Sequence, residues 1–219
     1  MWRPRMRWPG LRALRPEPAR RSMQARGGSR CRLRFSRSAR IRVERSSRGI
    51  SLRSLARSVG LSPSLISQIE TGKCQPSVST LYAITTALGI SVQDVFGDAV
   101  ADGQAADDVV CPGQREILEL DSGVTWQRLG HVPGSHVDFL MVTYAPGGCS
   151  SKEGRLMDHP GTEYGYLVQG ELAVTLGFRS HRLTPGDAVS FASATPHSYR
   201  NEGSVPAVGI WFVAGPGGA

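Results

Sequence analysis

The residues Ser51–Phe96, SLRSLARSVGLSPSLISQIETGKCQPSVSTLYAITTALGISVQDVF, indicate the fold of the first half of the chain. Its apolar residues recur at helical spacing in successive short runs. Ser51 stands before the first run as an N-cap, and Ser62 and Pro63 open the second run as N-cap and first helical residue. Gly60 lies between them, where a left-handed glycine ends a helix. The pattern predicts two short helices joined by a tight turn.

The second of these helices has one apolar and one polar face. Leu65, Ile66 and Ile69 face inward, and small polar side chains face outward. Ser77 or Ser79 is predicted to cap a third helix. That helix and a short fourth one carry the next apolar positions, which are Leu81, Ile84, Leu88, Val92, Val95 and Phe96.

The phrases LARSVGLSPSLISQIETGK and LYAITTALGISVQDVF resemble the XRE/Cro-type helix-turn-helix family. The resemblance implies that the helix starting at Ser62 lies in the major groove of DNA. The base or phosphate contacts that it implies are Ser62, Pro63, Ser64, Ser67 and Gln68, and the phosphate contacts are Arg53, Arg57, Thr71 and Lys73. The alternative is a generic helical bundle whose polar faces are merely solvated.

The first helix of that family corresponds to residues 38–48, SARIRVERSSR, and departs from the family pattern at one position. Ile41 stands where a core residue belongs, but Glu44 stands where the family usually has an apolar side chain. A buried, unpaired carboxylate costs several kcal/mol. The helix is therefore displaced or frayed, or Glu44 pairs with Arg40 or Arg48 one turn away.

Charge divides the chain unevenly. Residues 1–48 hold 16 Arg against Glu17 and Glu44, which gives +14, and the remaining 10 basic and 16 acidic residues give −6. The segment 1–36 has no sustained apolar period and is predicted to be disordered. It is either a basic arm that lies along DNA phosphates or an over-long translated start, with Met23 as a later initiator.

The same sequence features favour a cytoplasmic protein. The arm lacks the apolar run of a secretory signal, and no stretch approaches the roughly 18 apolar residues of a membrane span. The four cysteines, at positions 31, 74, 111 and 149, occur singly, without the spacing of a zinc ribbon or redox motif. We therefore expect reduced thiols and no membrane partner.

From Gln114 onward the helical period disappears. Short runs rich in β-branched and aromatic residues, such as HVDFLMVTYA, TEYGYLV and AVGIWFV, alternate with Gly/Pro turns. This pattern predicts a β-sandwich or barrel. The chain then divides into an arm (1–36), a helix-turn-helix domain (37–97), an acidic linker (98–112) and a β domain (113–216).

Two phrases of the β domain resemble the motifs of the cupin family, a double-stranded β-helix related to the jelly roll. They contain His159-Pro-Gly-Thr-Glu163 with Gly170, and Pro185-Gly-Asp187 with Pro196-His197 and Asn201. The fold class expected is thus an all-α helix-turn-helix bundle followed by an all-β cupin barrel. Metal-binding cupins carry two histidines before the glutamate, and Met157 replaces the first of them here.

Three potential ligands remain, His159, Glu163 and His197. Two imidazoles and one carboxylate are a suitable set for a divalent metal ion such as Fe²⁺, Zn²⁺, Mn²⁺ or Ni²⁺. The alternative without a metal is that His159 and Glu163 hydrogen-bond each other or a bound organic effector.

The predicted effector pocket lies inside the barrel. Strand alternation from Glu163 turns Gly165 and Leu167 inward, and alternation from His197 turns Tyr199 inward. The pocket is predicted to comprise His159, Glu163, His197, Tyr199 and Met141, and Trp126, Phe191 and Trp211 either line it or belong to the core.

A DNA-reading domain joined to a small barrel indicates a transcriptional regulator that binds double-stranded DNA as a homodimer and senses a small molecule. It is not expected to be an enzyme. The rival hypothesis is a cupin-type, metal-dependent dioxygenase or isomerase with an accessory DNA-binding head. A third hypothesis, a purely architectural DNA-binding protein, requires no pocket.

Overall fold

Helices precede strands throughout the part of the chain that the computed structural model describes, which is residues 33–96, 109–132, 135–151 and 154–215. The helices are α1 (Leu33–Ser47), α2 (Leu52–Ser58), α3 (Pro63–Glu70), α4 (Val78–Leu88) and α5 (Val92–Phe96). The strands are β1 (Ile117–Leu120), β2 (Val124–Gly130), β3 (Val137–Tyr144), β4 (Thr162–Gln169), β5 (Leu172–Leu176), β6 (Arg179–Leu183), β7 (Ala188–Ala192), β8 (His197–Arg200) and β9 (Ala207–Ala214).

Most of the predicted arm and linker lies outside the described residues. Helix α1 begins at Leu33, inside the stretch 1–36 that the sequence assigns to the arm. The linker prediction over 98–112 is described only from residue 109, where a short 3₁₀ turn at Pro112–Gln114 leads into β1.

The helix boundaries follow local capping chemistry. The Oγ of Ser51 accepts a hydrogen bond from the Ser54 N–H at 3.0 Å, and the Oγ of Ser62 accepts one from the Leu65 N–H at 3.2 Å. Of the two candidates for the third cap, the structure uses Ser77. Gly60 has φ +68°, so it takes the left-handed conformation that ends a helix.

In the first helix, α1, Glu44 forms salt bridges with two arginines. Its carboxylate lies 3.0 Å from the Arg40 Nε and also contacts the guanidinium of Arg48, so both i±4 partners are used. Ile41, on the same helix, is buried in the core as the sequence predicts. The helix is therefore not displaced, but it is longer than the segment 38–48 and begins five residues earlier.

A buried ion pair fixes α1 against α3. The Arg45 Nε donates to Glu70 Oε1 at 2.6 Å, its Nη2 donates to Glu70 Oε2 at 3.0 Å, and its Nη1 donates to the Ile50 carbonyl at 2.8 Å. The hydrogen bond to Glu70 raises the pKa of Arg45. Because the partners are 25 residues apart, no local spacing indicates this pair.

The strands form two antiparallel sheets. The larger has the order β1-β2-β3-β9-β4-β7 and the smaller has the order β6-β5-β8. Strands far apart in sequence lie side by side, as in a jelly roll. The predicted fold class, a helical bundle followed by an all-β cupin barrel, is confirmed.

The helices pack directly on the barrel, and the described residues between Leu33 and Gly215 belong to one compact unit. The Ser79 N–H of α4 donates to the Ser150 carbonyl at 3.1 Å. The Gln93 side-chain amide of α5 donates to the Val137 carbonyl of β3. One apolar core extends from Ile41 to Trp211, so the two domains share buried surface. Among the described helices, none combines the length and the apolar character needed to cross a membrane.

Candidate DNA-binding surface and barrel site

The predicted DNA contacts are on α2, on α3 with its N-cap, and on the turn after α3. In the helix and its cap, Ser62, Pro63, Ser64 and Gln68 are exposed, and Ser67 is half-buried. The predicted phosphate contacts Arg53, Arg57, Thr71 and Lys73 are also exposed. The opposite face of the helix is buried through Ile66 and Ile69.

Several hydroxyl groups of these predicted contacts already make hydrogen bonds within the protein. The Oγ of Ser62 caps α3 and also lies 3.0 Å from the Ser64 Oγ. The Thr71 Oγ1 donates to the Ser67 carbonyl at 2.8 Å. Gln68 is exposed, and an amide can bond adenine through two groups at once. Gln68 thus combines exposure with a side-chain type that can bond a base edge.

The second cluster lies inside the barrel. His159, Glu163 and His197 are all buried, and one ligand atom of each lies within 4.8 Å of the others. The Nε2 of His159 lies 2.8 Å from Glu163 Oε1, and the Nε2 of His197 lies 3.0 Å from that same oxygen. The structure brings together the three predicted residues, which come from β4, β8 and the loop before β4.

Each imidazole contacts a backbone carbonyl through its Nδ1, and this orients its Nε2 toward the Glu163 carboxylate. The Nδ1 of His197 lies 2.8 Å from the Thr195 carbonyl, so this nitrogen carries the proton and donates. The Nδ1 of His159 faces the Pro160 carbonyl at 3.3 Å. In a neutral His197 the Nε2 is then an acceptor. It is buried and has no hydrogen-bond donor.

Two acceptors at 3.0 Å repel each other unless a cation lies between them, and the cation is either a proton or a metal ion. The spacing fits a metal, because ligand atoms ~2.1 Å from one ion and at right angles to each other are ~3.0 Å apart. The carbonyl partners of the two Nδ1 atoms are the outer contacts that metal-binding histidines usually have.

Aromatic donors orient the carboxylate from its other side. The Tyr199 hydroxyl donates to Glu163 Oε2 at 2.6 Å, and the Trp211 Nε1 donates to the Tyr199 oxygen at 3.3 Å. Burial by itself raises the pKa of Glu163. When the imidazoles carry a second proton, the hydrogen bonds and charges of His159 and His197 outweigh that effect and lower the pKa of Glu163 to about 2. Burial raises the pKa of Tyr199, so this residue remains a donor at neutral pH.

Met157 occupies the place next to this cluster. It is buried, and its backbone exchanges two hydrogen bonds of 2.8 Å with His197. Its thioether is a poor ligand for borderline-hard ions. The donor set on the protein is therefore two nitrogens and one carboxylate, which leaves coordination positions for water or another ligand.

The barrel interior, where the effector pocket is predicted, is almost filled by side chains. Its cavity has a volume of about 20 Å³, and Trp126, Tyr144, Tyr199 and Trp211 are among the side chains that fill it. That volume suits a single water molecule. The interior therefore has room for about one water molecule, and an organic effector does not fit in this conformation.

The prediction that Met141 lines the pocket is wrong. Leu140 and Val142 line the interior cavity, and Met141 lies on the other face of β3, where its sulfur accepts from the Arg115 Nη1 at 4.0 Å. Phe139 shares that outer face and stacks on Phe212. Both faces of β3 are apolar, so the sequence gives the alternation without indicating which face is the inner one.

Other inward predictions agree with the structure. Gly165, Leu167 and Tyr199 are buried on the inner side of their strands. Trp126 and Trp211 line the interior, and Phe191 lies edge-on to His197 with ring centroids 4.9 Å apart.

One residue of the site comes from the helical domain, and the sequence did not indicate it. Tyr82 of α4 stacks on His159 with ring centroids 3.9 Å apart and an angle of 1° between the planes. The tyrosine is buried and also lines the interior cavity. A potential metal ligand is thus in contact with the domain that carries the DNA-binding surface.

Comparisons with known proteins match both halves of the chain. A family described as Helix-turn-helix matches residues 41–95, and one described as Cupin domain matches residues 140–213. HTH-type transcriptional regulator PuuR of Escherichia coli (strain K12) is 28% identical over 164 residues, which cover 74% of this chain and 85% of PuuR. HTH-type transcriptional regulator SutR of the same strain is 26% identical over 166 residues, which cover 76% of this chain and 87% of SutR.

A solved structure agrees with the arrangement of the domains. The crystal structure of an HTH_3 family transcriptional regulator from Vibrio cholerae has a TM-score of 0.62 and 22% sequence identity, and the match covers 84% of this chain and 97% of that one. At this identity the similarity establishes the fold alone. The predicted order, a helix-turn-helix domain followed by a cupin domain, is confirmed.

Proposed function

We propose that this chain, a homologue of HTH-type transcriptional regulators with a C-terminal cupin domain, binds specific DNA sequences as a homodimer and responds to a small ligand through its barrel. The observation that carries the proposal is the exposed polar face of α3, in a chain that aligns with two named regulators along about three quarters of its length. Bacterial regulators work where the DNA is, so we place the protein in the cytoplasm.

DNA recognition divides between two groups of residues in this proposal. Ser64, Ser67 and Gln68 face the bases, while Ser62 and Pro63 set the start of the helix against the backbone. Arg53, Arg57, Thr71 and Lys73 contact phosphates and position the helix without selecting sequence. Selection of bound duplexes from a random library by the full chain tests this part, and an enriched motif is the expected result.

The dimer is proposed to form through the outer face of the large sheet. Tyr164, Tyr166 and Phe212 are 41–52% exposed there, although they are large and apolar. Contiguous exposed apolar side chains mark interaction surfaces, and a two-fold interface pairs the same patch with itself. Sedimentation of Tyr166→Lys tests this assignment: a monomer supports it, and an unchanged dimer contradicts it. Glu171→Lys, which also introduces a lysine at an exposed position of the barrel, is the matched control.

A divalent metal ion is proposed for the cluster of His159, Glu163 and His197. When bound, the ion supplies a positive charge that the two nitrogens and the carboxylate share, and Tyr199 holds the carboxylate in place. The test is metal content and affinity by calorimetry with Zn²⁺ or Mn²⁺. His197→Ala should abolish binding. Met157→His should tighten it by adding a fourth ligand, and Met157→Leu should leave it unchanged.

The enzyme alternative is less well supported. Both named relatives are transcriptional regulators, and they align across both domains. The interior cavity of about 20 Å³ also has little room for an organic substrate beside the three potential ligands. Turnover by the metal-loaded chain, with no sequence preference in DNA binding, would favour the enzyme instead.

A further inference from the structure

Helix α5 contacts the barrel through Gln93, which bonds two consecutive residues of β3. The Gln93 backbone N–H donates to the Asp138 carboxylate, and the Gln93 side-chain amide donates to the Val137 carbonyl. Gln93 and Asp138 are each only 6% exposed. The contact therefore joins the helical domain to the barrel at a place that solvent hardly reaches.

Two acceptor atoms of this contact, Asp138 Oδ1 and Gln93 Oε1, are buried and have no hydrogen-bond donor among the described residues. The amide of Gln93 cannot be reversed to change this, because its nitrogen faces the Val137 carbonyl, which only accepts. Buried polar atoms are normally satisfied. The contact between α5 and β3 therefore lacks one donor.

A proton on Asp138 is a donor that the contact can supply by itself. A protonated carboxyl group has one O–H to donate, and the oxygen of an amide accepts it. One such bond would satisfy Asp138 Oδ1 and Gln93 Oε1 together. Because both atoms are buried, a donor from solvent would reach them only after α5 had moved away from β3.

The surroundings of Asp138 favour this proton. Burial has the largest effect and raises the pKa of Asp138, and the charges of Asp94 on α5 and Glu163 on β4 raise it further. The Gln93 N–H and the charge of Arg128 on β2 lower it, and the resulting pKa is about 7. Both protonation states of Asp138 are therefore populated near neutral pH.

Other charged and titratable side chains surround Asp138 without supplying the missing donor. Arg128 forms a salt bridge with Glu116 and lies over the ring of Phe96, 5.7 Å from its centroid. A cleft between the helices and the barrel, which Asp138 also lines, has four further titratable residues on its walls, Tyr82, His131, His136 and His159. Within the described part of the chain, none of them makes a hydrogen bond to Asp138 Oδ1.

We propose that a proton on Asp138 Oδ1, donated to Gln93 Oε1, latches α5 onto the barrel, and that loss of this proton releases the helix. We call this pair the Asp138–Gln93 latch. With the proton, three hydrogen bonds join Gln93 to β3. Without it, a carboxylate oxygen and an amide oxygen face each other as acceptors and repel. Only the consequence for DNA binding rests on the proposed regulatory function.

Hydrogen exchange of the full chain measures the release of α5. The exchange rates of the amides in Val92–Phe96 are compared between pH 5 and pH 8, after correction for the intrinsic pH dependence of exchange. Protection should fall by about tenfold or more between pH 5 and pH 7, because Asp138 ionises readily once the helix is released. The amides of β5, in the smaller sheet, should change less. Equal protection of α5 across this pH range would overturn the proposal.

Variants assign the response to the latch. Asp138→Asn replaces the O–H by an amide N–H that does not titrate, so α5 should stay protected up to pH 8. Gln93→Met removes the acceptor, so its α5 should be less protected at pH 5 than that of the unmodified chain. Glu171→Gln, which removes an exposed carboxylate of the barrel, should respond to pH like the unmodified chain. A response in Asp138→Asn as steep as in the unmodified chain would overturn the assignment.

DNA binding on the same preparations separates this inference from the proposed function. If the chain selects a DNA motif but the protection of α5 does not depend on pH, the latch is wrong and the regulator remains. If the protection of α5 falls with pH only when Asp138 is present, but no motif is selected, the latch stands and the regulatory function fails.

Discussion

The ring of Tyr82 lies flat on the imidazole of His159, with centroids 3.9 Å apart. The first residue belongs to α4, which follows the helix α3 that we propose to read DNA, and the second belongs to the potential metal cluster of the barrel. A ligand that alters the position or charge of His159 therefore acts directly on α4. Such a ligand shifts DNA affinity only if it binds two arrangements of the domains unequally.

Removing this stack should uncouple the two domains. In the unmodified chain we expect Zn²⁺ or Mn²⁺ to change DNA affinity, and in Tyr82→Leu we expect the change to be largely lost while metal still binds. Tyr82→Phe keeps the ring and should keep the coupling. Fluorescence anisotropy of labelled DNA, with and without the metal ion, measures this change in DNA affinity. An equal change in all three proteins would contradict the role of the stack.

Replacing Gln68 by Ala should relax sequence choice at one base pair. The exposed amide is able to make a bidentate contact, whose loss costs about 1–3 kcal/mol of discrimination. Lys73→Ala should instead weaken binding evenly across sequences, because a phosphate contact carries no sequence information. Competition binding with single-base variants of the selected site distinguishes the two. An unaltered motif in Gln68→Ala would show that the helix is placed wrongly.

Replacing Arg45 by Met should strongly destabilise the helical domain. Glu70, whose side chain is 3% exposed, would be left as a buried charge without its partner, at a cost of about 3–5 kcal/mol. Arg48→Met is the matched control, because its pair with Glu44 is at the surface and is worth about 0–1 kcal/mol. Urea unfolding measures both, and similar losses in the two variants would contradict the buried pair.

Asp138 should make the stability of the chain depend on pH. Burial, together with the charges of Asp94 and Glu163, raises the pKa of Asp138 to about 7, although the Gln93 N–H and the charge of Arg128 lower it. The folded state thus retains a proton that the unfolded state has lost. Stability from this group is complete below the unfolded pKa and falls as pH rises from about 4 to about 7.

Asp138→Asn lacks this titration. The variant should gain stability relative to the unmodified chain as pH rises from 5 to about 7, by about 1.4 kcal/mol or less for each pH unit, and the difference should then level off. Urea unfolding at several pH values measures the difference. A difference that is constant across this pH range would mean that Asp138 does not titrate as described.

The helix boundaries could be predicted from the sequence because they depend on interactions between residues close together in the chain. Ser51, Ser62 and Gly60 act on residues three or four positions away, so their roles can be recognised from spacing alone. The motif residues His159 and His197 meet because the cupin topology brings their strands together. The inner face of β3 could not be predicted, since Met141 and Leu140 are both apolar and a shift of one residue exchanges the faces.

The contacts that join the domains could not be predicted for a different reason. Tyr82 and Asp138 acquire their roles only when α4 and α5 pack on the barrel, and no spacing within either segment encodes that docking. Tyr82 has the spacing of an ordinary core residue in a helix. Arg45 and Glu70 likewise form an ion pair only through the packing of α1 on α3.

Sequence-specific DNA binding is best tested by the ratio of the chain's affinities for the selected DNA site and for a scrambled duplex. Both affinities are measured for the full chain at the same physiological salt concentration, because phosphate contacts alone make binding salt-dependent. A sequence-specific regulator should prefer the selected site by at least about 10³-fold, and Gln68→Ala should reduce that preference. Equal affinity for both duplexes would show that the protein does not bind DNA sequence-specifically.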